Sequence, residues 1–339
     1  PWNTAHFTGG SSSGSAAAVA AGLTPVTLGS DTGGAIRGPA GLCGVAGMKP
    51  TYGLVSRAGV LPNCYTYDHC GPLARTAQDC ALILDAIAGH DLADPASATA
   101  PPGDFATGIE AGIKGLRIGV IRHFWESDQR PNPELGTAMD EAIAVFETLG
   151  AKVETVHLRP MQHYLDVKIV TAESELFSIH LPELRARPQE FGQDFRSRIL
   201  AACLFTAEDY VRSSRCRRVI TDEMEAIYSK YDLLLTANNS PAPRIDQHNP
   251  LSFWTSASLT TPFDVTGGPA LALPCGFTGA GLPLSLQIVG RPFDDALVLR
   301  AGHAFESETG YFKERPKLEL GAAPAAIDPK PWIPDTGEV

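Results

Sequence analysis

A layered α/β fold is predicted by three observations. Stretches with helical spacing alternate along the chain with short apolar strand candidates. Apolar residues make up 44% of 339 residues, enough for a sizeable core, and a charged share of 19% argues against disorder. The 33 Gly and 27 Pro point to many turns and backbone-built features.

The elements follow in order. Leu116–Ile121 is a compact apolar strand candidate. Thr137–Leu149 places Met139, Ile143, Phe146 and Leu149 at helical spacing, with Gly150 as the stop. Lys152–His157 alternates as a strand. Thr206-Ala207-Glu208-Asp209 resembles a capping box. It opens a long helix with Val219, Ile220, Met224, Ile227 and Tyr231 on one side. Asp232–Thr236, Leu271–Leu273 and Leu284–Val289 are further strand candidates. Asp294–Thr309 reads as a helix, with Leu297, Ala301 and Phe305 inward and Gly310 as its cap. Residues 91–112, rich in Ala, Pro, Gly and Asp, are expected to form an exposed connection, and residues 316–339 a Pro-rich tail.

Charge and cysteine usage exclude several classes. Against 38 acidic residues stand 27 basic ones, a net charge of −11. Phosphate contacts need clustered Lys and Arg, so nucleic acid is not an expected partner. The short run Arg212, Arg215, Arg217 and Arg218 reads as a solvated helix face rather than an anion site. The stretch between Asp264 and Arg291 carries no charge and is long enough to span a bilayer. Gly267, Gly268, Pro269, Pro274, Gly276, Gly279, Gly281 and Pro283 break it, so it reads as buried strand and loop, with no membrane partner. Seven Cys with no C-x-x-C pair argue against both a disulfide framework and a zinc ribbon, and a reducing cytoplasm is expected.

The chemistry concentrates near the start. The first thirty residues carry no Asp, Glu, Lys or Arg and read as protein interior. Gly9-Gly10-Ser11-Ser12-Ser13-Gly14-Ser15 runs into the Ala-rich segment Ala16–Ala21. Serines before such a segment can cap a helix and present hydroxyls near its positive end. Thr32-Gly33-Gly34 suits a turn whose backbone N–H groups converge into an oxyanion cradle. Hydroxyls beside such a cradle mean acyl transfer. A phosphate loop is the competitor, but no G-K-[ST] follows and no lysine precedes Lys49.

These segments, GGSSSGSAAAVAAG (9–22), GSDTGGAIR (29–37), GMKPTYG (47–53) and GPLARTAQD (71–79), resemble the amidase signature family of serine hydrolases. The resemblance continues through TPFDVTGGPALALPCGFTGAGLPLSLQIVGRPFDDA (261–296) and so covers most of the chain. It implies one amidase domain over 1–339, a central twisted mixed β-sheet covered on both faces by α-helices. It also implies a Ser-cisSer-Lys triad, in which a neutral lysine is the base, a serine on a cis peptide relays the proton and a second serine attacks the amide. By motif, Ser11 is the relay and Ala35 holds the nucleophile's place. Thr32, Gly33 and Gly34 are the oxyanion donors, Asp31 and Arg37 brace the loop, and Ser12 adds a hydroxyl beside the relay.

Two departures stand out. Ala35 has no hydroxyl, which reads as a Ser→Ala inactivation. The family's lysine lies several dozen residues upstream of the Gly-Gly pair, and Lys49 belongs to a different motif, so an N-terminal part carrying the base is expected to be absent from this chain. No metal or organic cofactor is implied. The expected partner is a small-molecule amide or related hydrazide or ureide, and a homodimer is plausible for the family. The 255–275 region resembles free-standing amidases, which favours that reading. The alternatives are the glutamine-hydrolysing subunit of a tRNA-dependent amidotransferase and a non-catalytic homologue. Cys64 and Tyr65, in the loop Asn63–His69, and the pair Phe253 and Trp254 are the pocket candidates; core packing is the competing reading for the aromatics.

Overall fold

The computed structural model describes residues 1–99, 103–247 and 252–318. Residues 319–339, most of the expected tail, lie outside them. The strands are β1 (Val26–Asp31), β2 (Ala46–Lys49), β3 (His69–Ala74), β4 (Arg117–Val120), β5 (Lys152–Thr155), β6 (Leu233–Asn239), β7 (Ala270–Phe277) and β8 (Pro283–Gly290). They form one sheet in the order β1-β3-β2-β7-β8-β6-β4-β5. Pairing is antiparallel from β1 to β6 and parallel across β6, β4 and β5.

The helices are α1 (Ser13–Ala20), α2 (Arg37–Cys43), α3 (Ala77–Ile87), α4 (Pro133–Thr148), α5 (Met161–Ala186), α6 (Gln193–Leu200), α7 (Ala207–Tyr228), α8 (Ser252–Thr255), α9 (Thr261–Val265) and α10 (Asp295–Thr309). The period of two in β7 shows how both faces are covered. Ala272 packs with Ala16 of α1 and with Ile36 and Ala40 at α2. Its neighbours Leu271 and Leu273 face the other way, against Gly302 of α10. Phe146 of α4 stacks on Phe305 of α10, 5.2 Å between centroids, within that second layer. The uncharged stretch after Asp264 is therefore the β7–β8 hairpin, buried along nearly its whole length. No described helix is long and apolar enough to cross a membrane.

The capping box forms as the sequence predicts: Asp209 N–H donates to Thr206 Oγ1, and Thr206 N–H donates to Asp209. Helix α4 begins earlier than its apolar spacing suggests, because Asn132 caps it and Pro133 fills the first turn. Two expectations need correction. The 91–112 segment is not simply exposed. Asp94 is buried and accepts Arg57 N–H at 2.9 Å and its Nε at 3.0 Å, while Phe105 and Ile109 enter the core. Asp85 fixes that entry by accepting the N–H groups of Phe105 and Ala106. Nor does a serine side chain cap α1; Ser12 bonds to β1 instead.

Candidate functional site

The turn between β1 and α2 is built around two buried charges. Asp31 ends β1 and folds its carboxylate back over the turn. It accepts the N–H of Gly34 (2.5 Å), Ile36 (3.1 Å) and Arg37 (3.4 Å). It also pairs with the Arg37 guanidinium through Nε at 3.0 Å and Nη2 at 3.2 Å. The rest of that guanidinium reaches Asp264 Oδ2, Thr260 O and Gln287 Oε1. Neither Arg37 nor either carboxylate has any solvent exposure. Charges this deep are tolerated only when paired and fully bonded. Burial pushes the Asp31 carboxyl pKa upward, but the Arg37 charge and hydrogen bonds outweigh it and hold the group well below the usual range. Burial, with Asp31's charge adding to it, pushes Asp264 well above.

Gly34 has φ +130°, and a Cβ there would run into the Thr260 side chain. Only glycine fits. Thr260 Oγ1 donates to Gly33 O at 2.7 Å, which ties the turn to the entry of α9. Thr32 Oγ1 donates to Asp68 at 2.6 Å and accepts from Asn63 Nδ2 at 3.0 Å. Of the three proposed oxyanion residues, Gly34 has its N–H taken up by Asp31. Among the described residues, the N–H groups of Thr32, Gly33 and Ala35 have no acceptor. Preorganised N–H donors of this kind stabilise a developing oxyanion.

The Gly/Ser segment lies beside the end of β1. Ser12 is buried, and its Oγ donates to Ser30 O and accepts Ser30 N–H, both at 3.3 Å. Ser15 Oγ donates to Leu28 O at 2.9 Å. Ser11 is exposed, and the Gly10–Ser11 peptide bond is cis. Ala35 is partly exposed. Lys49 is fully buried; its ammonium meets Gly268 O, Pro50 O and His69 Nε2, and burial pulls its pKa down to about 8.

The pocket candidates separate. Cys64 is buried, with its thiol against Glu175 at 3.0 Å and its pKa raised by burial, so it is a core contact. Tyr65 is 58% exposed and lines a cavity of about 440 Å³ with Ser30, Arg57, Asn63 and Asp68. Phe253 receives two cations on its ring, Arg198 at 3.7 Å and Lys168 at 4.5 Å from the centroid. Trp254 packs edge-on against it at 5.6 Å.

Sequence reasoning missed Thr260, Asp264 and the cluster Lys168–Glu173–Arg198. Glu173 is fully buried and bidentate to Arg198, at 2.8 and 3.1 Å. Lys168 Nζ lies 3.5 Å from the same carboxylate. Leu165, Lys168 and Ala172 stand at i, i+3 and i+7, but Val167, Ile169 and Thr171 are buried as well, so spacing alone does not single the lysine out.

The family model described as Amidase matches residues 1–299. A glutamyl-tRNA(Gln) amidotransferase subunit of Moorella thermoacetica is 39% identical over 349 residues, covering 95% of this chain and 71% of that protein. The solved structure of the corresponding glutamyl-tRNA(Gln) amidotransferase subunit from Thermotoga maritima superposes with a TM-score of 0.78 at 34% identity, over 94% of this chain and 69% of that one. A chain from a vestigial protein complex, reported for what it reveals of the origins of an s-triazine catabolic enzyme, gives a TM-score of 0.84 at 34% identity, over 94% and 70%.

Proposed function

The chain belongs to the Amidase family, and from that premise we propose that it acts at the amide C–N bond of a glutamine-like substrate, as the ammonia-releasing subunit of an amidotransferase-type assembly. The likeness to the glutamyl-tRNA(Gln) amidotransferase subunits, which extends over almost the whole chain, carries this reading. It reverses the order drawn from the 255–275 region, which put a free-standing amidase first. The partner on this reading is another subunit of the assembly. Seven free cysteines suit a reducing compartment, so a cytoplasmic setting belongs to the same proposal.

The roles follow from the turn. The substrate carbonyl oxygen sits against the N–H groups of Gly33 and Ala35, with Asp31 and Arg37 holding the backbone that carries them. A hydroxyl on residue 35 would form the C–O bond. The C–N bond would then break, with the Ser11 hydroxyl relaying the proton to the departing ammonia, and water would release the acyl group. Ala35 supplies no oxygen for the first bond. The chain therefore holds its amide intact by this route.

Ala35→Ser tests this. Ammonia release from L-glutamine is expected to rise at least about a hundredfold over the unaltered chain. Cleavage confined to neutral alkyl or aryl amides would return the free-standing reading to first place. No cleavage and no binding of any amide would remove the amide-site reading altogether.

A further inference from the structure

We infer that Asn238 is a positioning residue of this site: its side-chain amide, with that of Asn239 beside it, holds the first turn of α2 from behind and so fixes where the Thr32–Ala35 turn presents its N–H groups. The inference rests on the reading above in one respect, that these N–H groups meet the substrate carbonyl. Neither asparagine touches the substrate.

The aim of the two amides comes first. Successive side chains of a regular strand point to opposite faces of the sheet. Asn238 and Asn239 both turn toward α2, because the register of β6 against β8 shifts between Ala237 and Asn239. A bulge re-aims side chains in this way. Asn238 Nδ2 donates to Arg37 O at 2.8 Å, and Asn239 Nδ2 donates to Gly38 O at 3.2 Å. Helix α2 comes this close because Gly41 has no side chain. A Cβ there would collide with Ser285 Oγ, Asn238 Nδ2 and Asn239 Oδ1.

The link to the turn comes second. Asn238 is buried, and its amide also donates to Asn239 Oδ1 at 2.9 Å. Ser285 Oγ donates to the same oxygen at 2.6 Å, which locks the pair together. One atom is left out: among the described residues, Asn238 Oδ1 has no partner. An unpaired buried acceptor costs stability, so stability alone does not account for an asparagine here. What the arrangement secures is the place of two carbonyls. Gly38 N–H donates to Gly34 O at 2.7 Å, so the residue before Ala35 is already tied into α2. Arg37, whose carbonyl Asn238 holds, carries the guanidinium that pairs with Asp31. Asp31 grips the turn from the front, through the N–H groups of Gly34 and Ile36. The two asparagines grip it from the back. Placement matters at this scale, because an error of about 1 Å in catalytic geometry costs on the order of a hundredfold in rate.

Two readouts test this side by side: amide hydrogen exchange in the Ala35 chain, which needs no reaction, and ammonia release from L-glutamine in the Ala35→Ser background. Asn238→Leu keeps the size of the side chain and removes both donors. Exchange at the Gly34, Ile36 and Gly38 amides is expected to quicken at least about tenfold, while Leu271 and Leu273 in β7 keep their rates. In the Ala35→Ser background the same change should lower kcat about ten- to a hundredfold and leave KM within about twofold. Asn238→Thr, which retains one donor, should recover part of both losses. Gly41→Ala pushes α2 off the intact amides and should reproduce both effects. If Asn238→Leu does not fold, Gly41→Ala and the milder Ser285→Ala carry the test. Exchange that quickens in β7 as much as at the turn overturns the inference and indicates a structural role. Faster exchange confined to the turn, with no amide cleaved by Ala35→Ser, would sink the proposed function and keep the role of Asn238. Cleavage of L-glutamine with a kcat indifferent to these changes would do the reverse. If nothing is cleaved and exchange at the turn is unchanged, both fall.

Discussion

Two buried charge clusters meet the Thr32–Ala35 turn, and they are mirror images in sign. In one, two carboxylates share a single cation: Asp31, Asp264 and Arg37. In the other, two cations share a single carboxylate: Lys168, Arg198 and Glu173. Each has one charge too many, and they dispose of it differently. The acidic cluster is sealed. Burial, with the neighbouring Asp31 adding to it, pushes the Asp264 carboxyl pKa well up, and Arg37 directs its donors to four acceptors, the two carboxylates, Thr260 O and Gln287 Oε1. In the basic cluster Arg198 does not give up its proton at ordinary pH, while burial draws the Lys168 pKa down. The cluster retains its surplus through the 28% exposure of Arg198 and the Phe253 ring. A sealed cluster fixes backbone; an open one keeps a charge available to a ligand.

The largest expected effect tests the sealed half. Arg37→Met leaves the Asp31 carboxylate buried without its cation and frees the turn from Thr260 O and Asp264. Removing one partner of a buried pair costs about 3–5 kcal/mol. That is a large part of a typical net stability of about 5–15 kcal/mol. Urea denaturation should show it directly, and a loss below about 1 kcal/mol would mean the cluster is not what holds the turn. Glu173→Gln is the matching change in the open half. It sets Lys168 and Arg198 against each other without their shared anion. The expected loss is smaller, about 1–3 kcal/mol, because water already reaches Arg198. Equal losses in the two variants would erase the distinction between sealed and open.

The two halves also differ in how far they can be read in the sequence. Asp31 and Arg37 sit within one motif, so the turn and its brace are legible through the resemblance to the family. Asp264 is 227 positions from Arg37, and no periodicity links them. Lys168 is hidden for another reason. Helix α5 buries several sides and carries Pro182 inside it, so its pattern is blurred and its spacing does not mark it as a helix. The same limit applies to the sheet. Strand β6 opens on the apolar run Leu233–Leu235, and β8 alternates Leu284, Leu286 and Ile288 with Ser285 and Gln287, so both are readable. Each of β1, β2 and β3 contains a glycine (Gly29, Gly47 and Gly71), and none has a long enough run to announce itself. Ser12 looks like a helix cap because its residue type and position fit one; the nearer acceptor on β1 wins.

A third buried carboxyl supplies the limiting case, an acid with no ion pair among the described residues. Glu306 of α10 accepts Ala77 N–H at 2.8 Å through Oε2, and Oε1 has no partner. Burial raises its pKa from 4.5 to about 8, against the opposing pull of that N–H. Between these two values the folded chain keeps the proton and the unfolded chain has lost it, so stability falls as pH rises through the window. Glu306→Gln keeps an acceptor for Ala77 and cannot ionise. Near pH 5 the variant and the unaltered chain should melt within about 1 °C of each other. By pH 9 the variant should be the more stable by on the order of 2–4 kcal/mol. Melting curves taken across that range would show the two diverging. Curves that stay parallel would mean that Glu306 finds a counter-charge or water on ionising, and that a buried carboxyl here does not need a cation such as Arg37 to remain an anion.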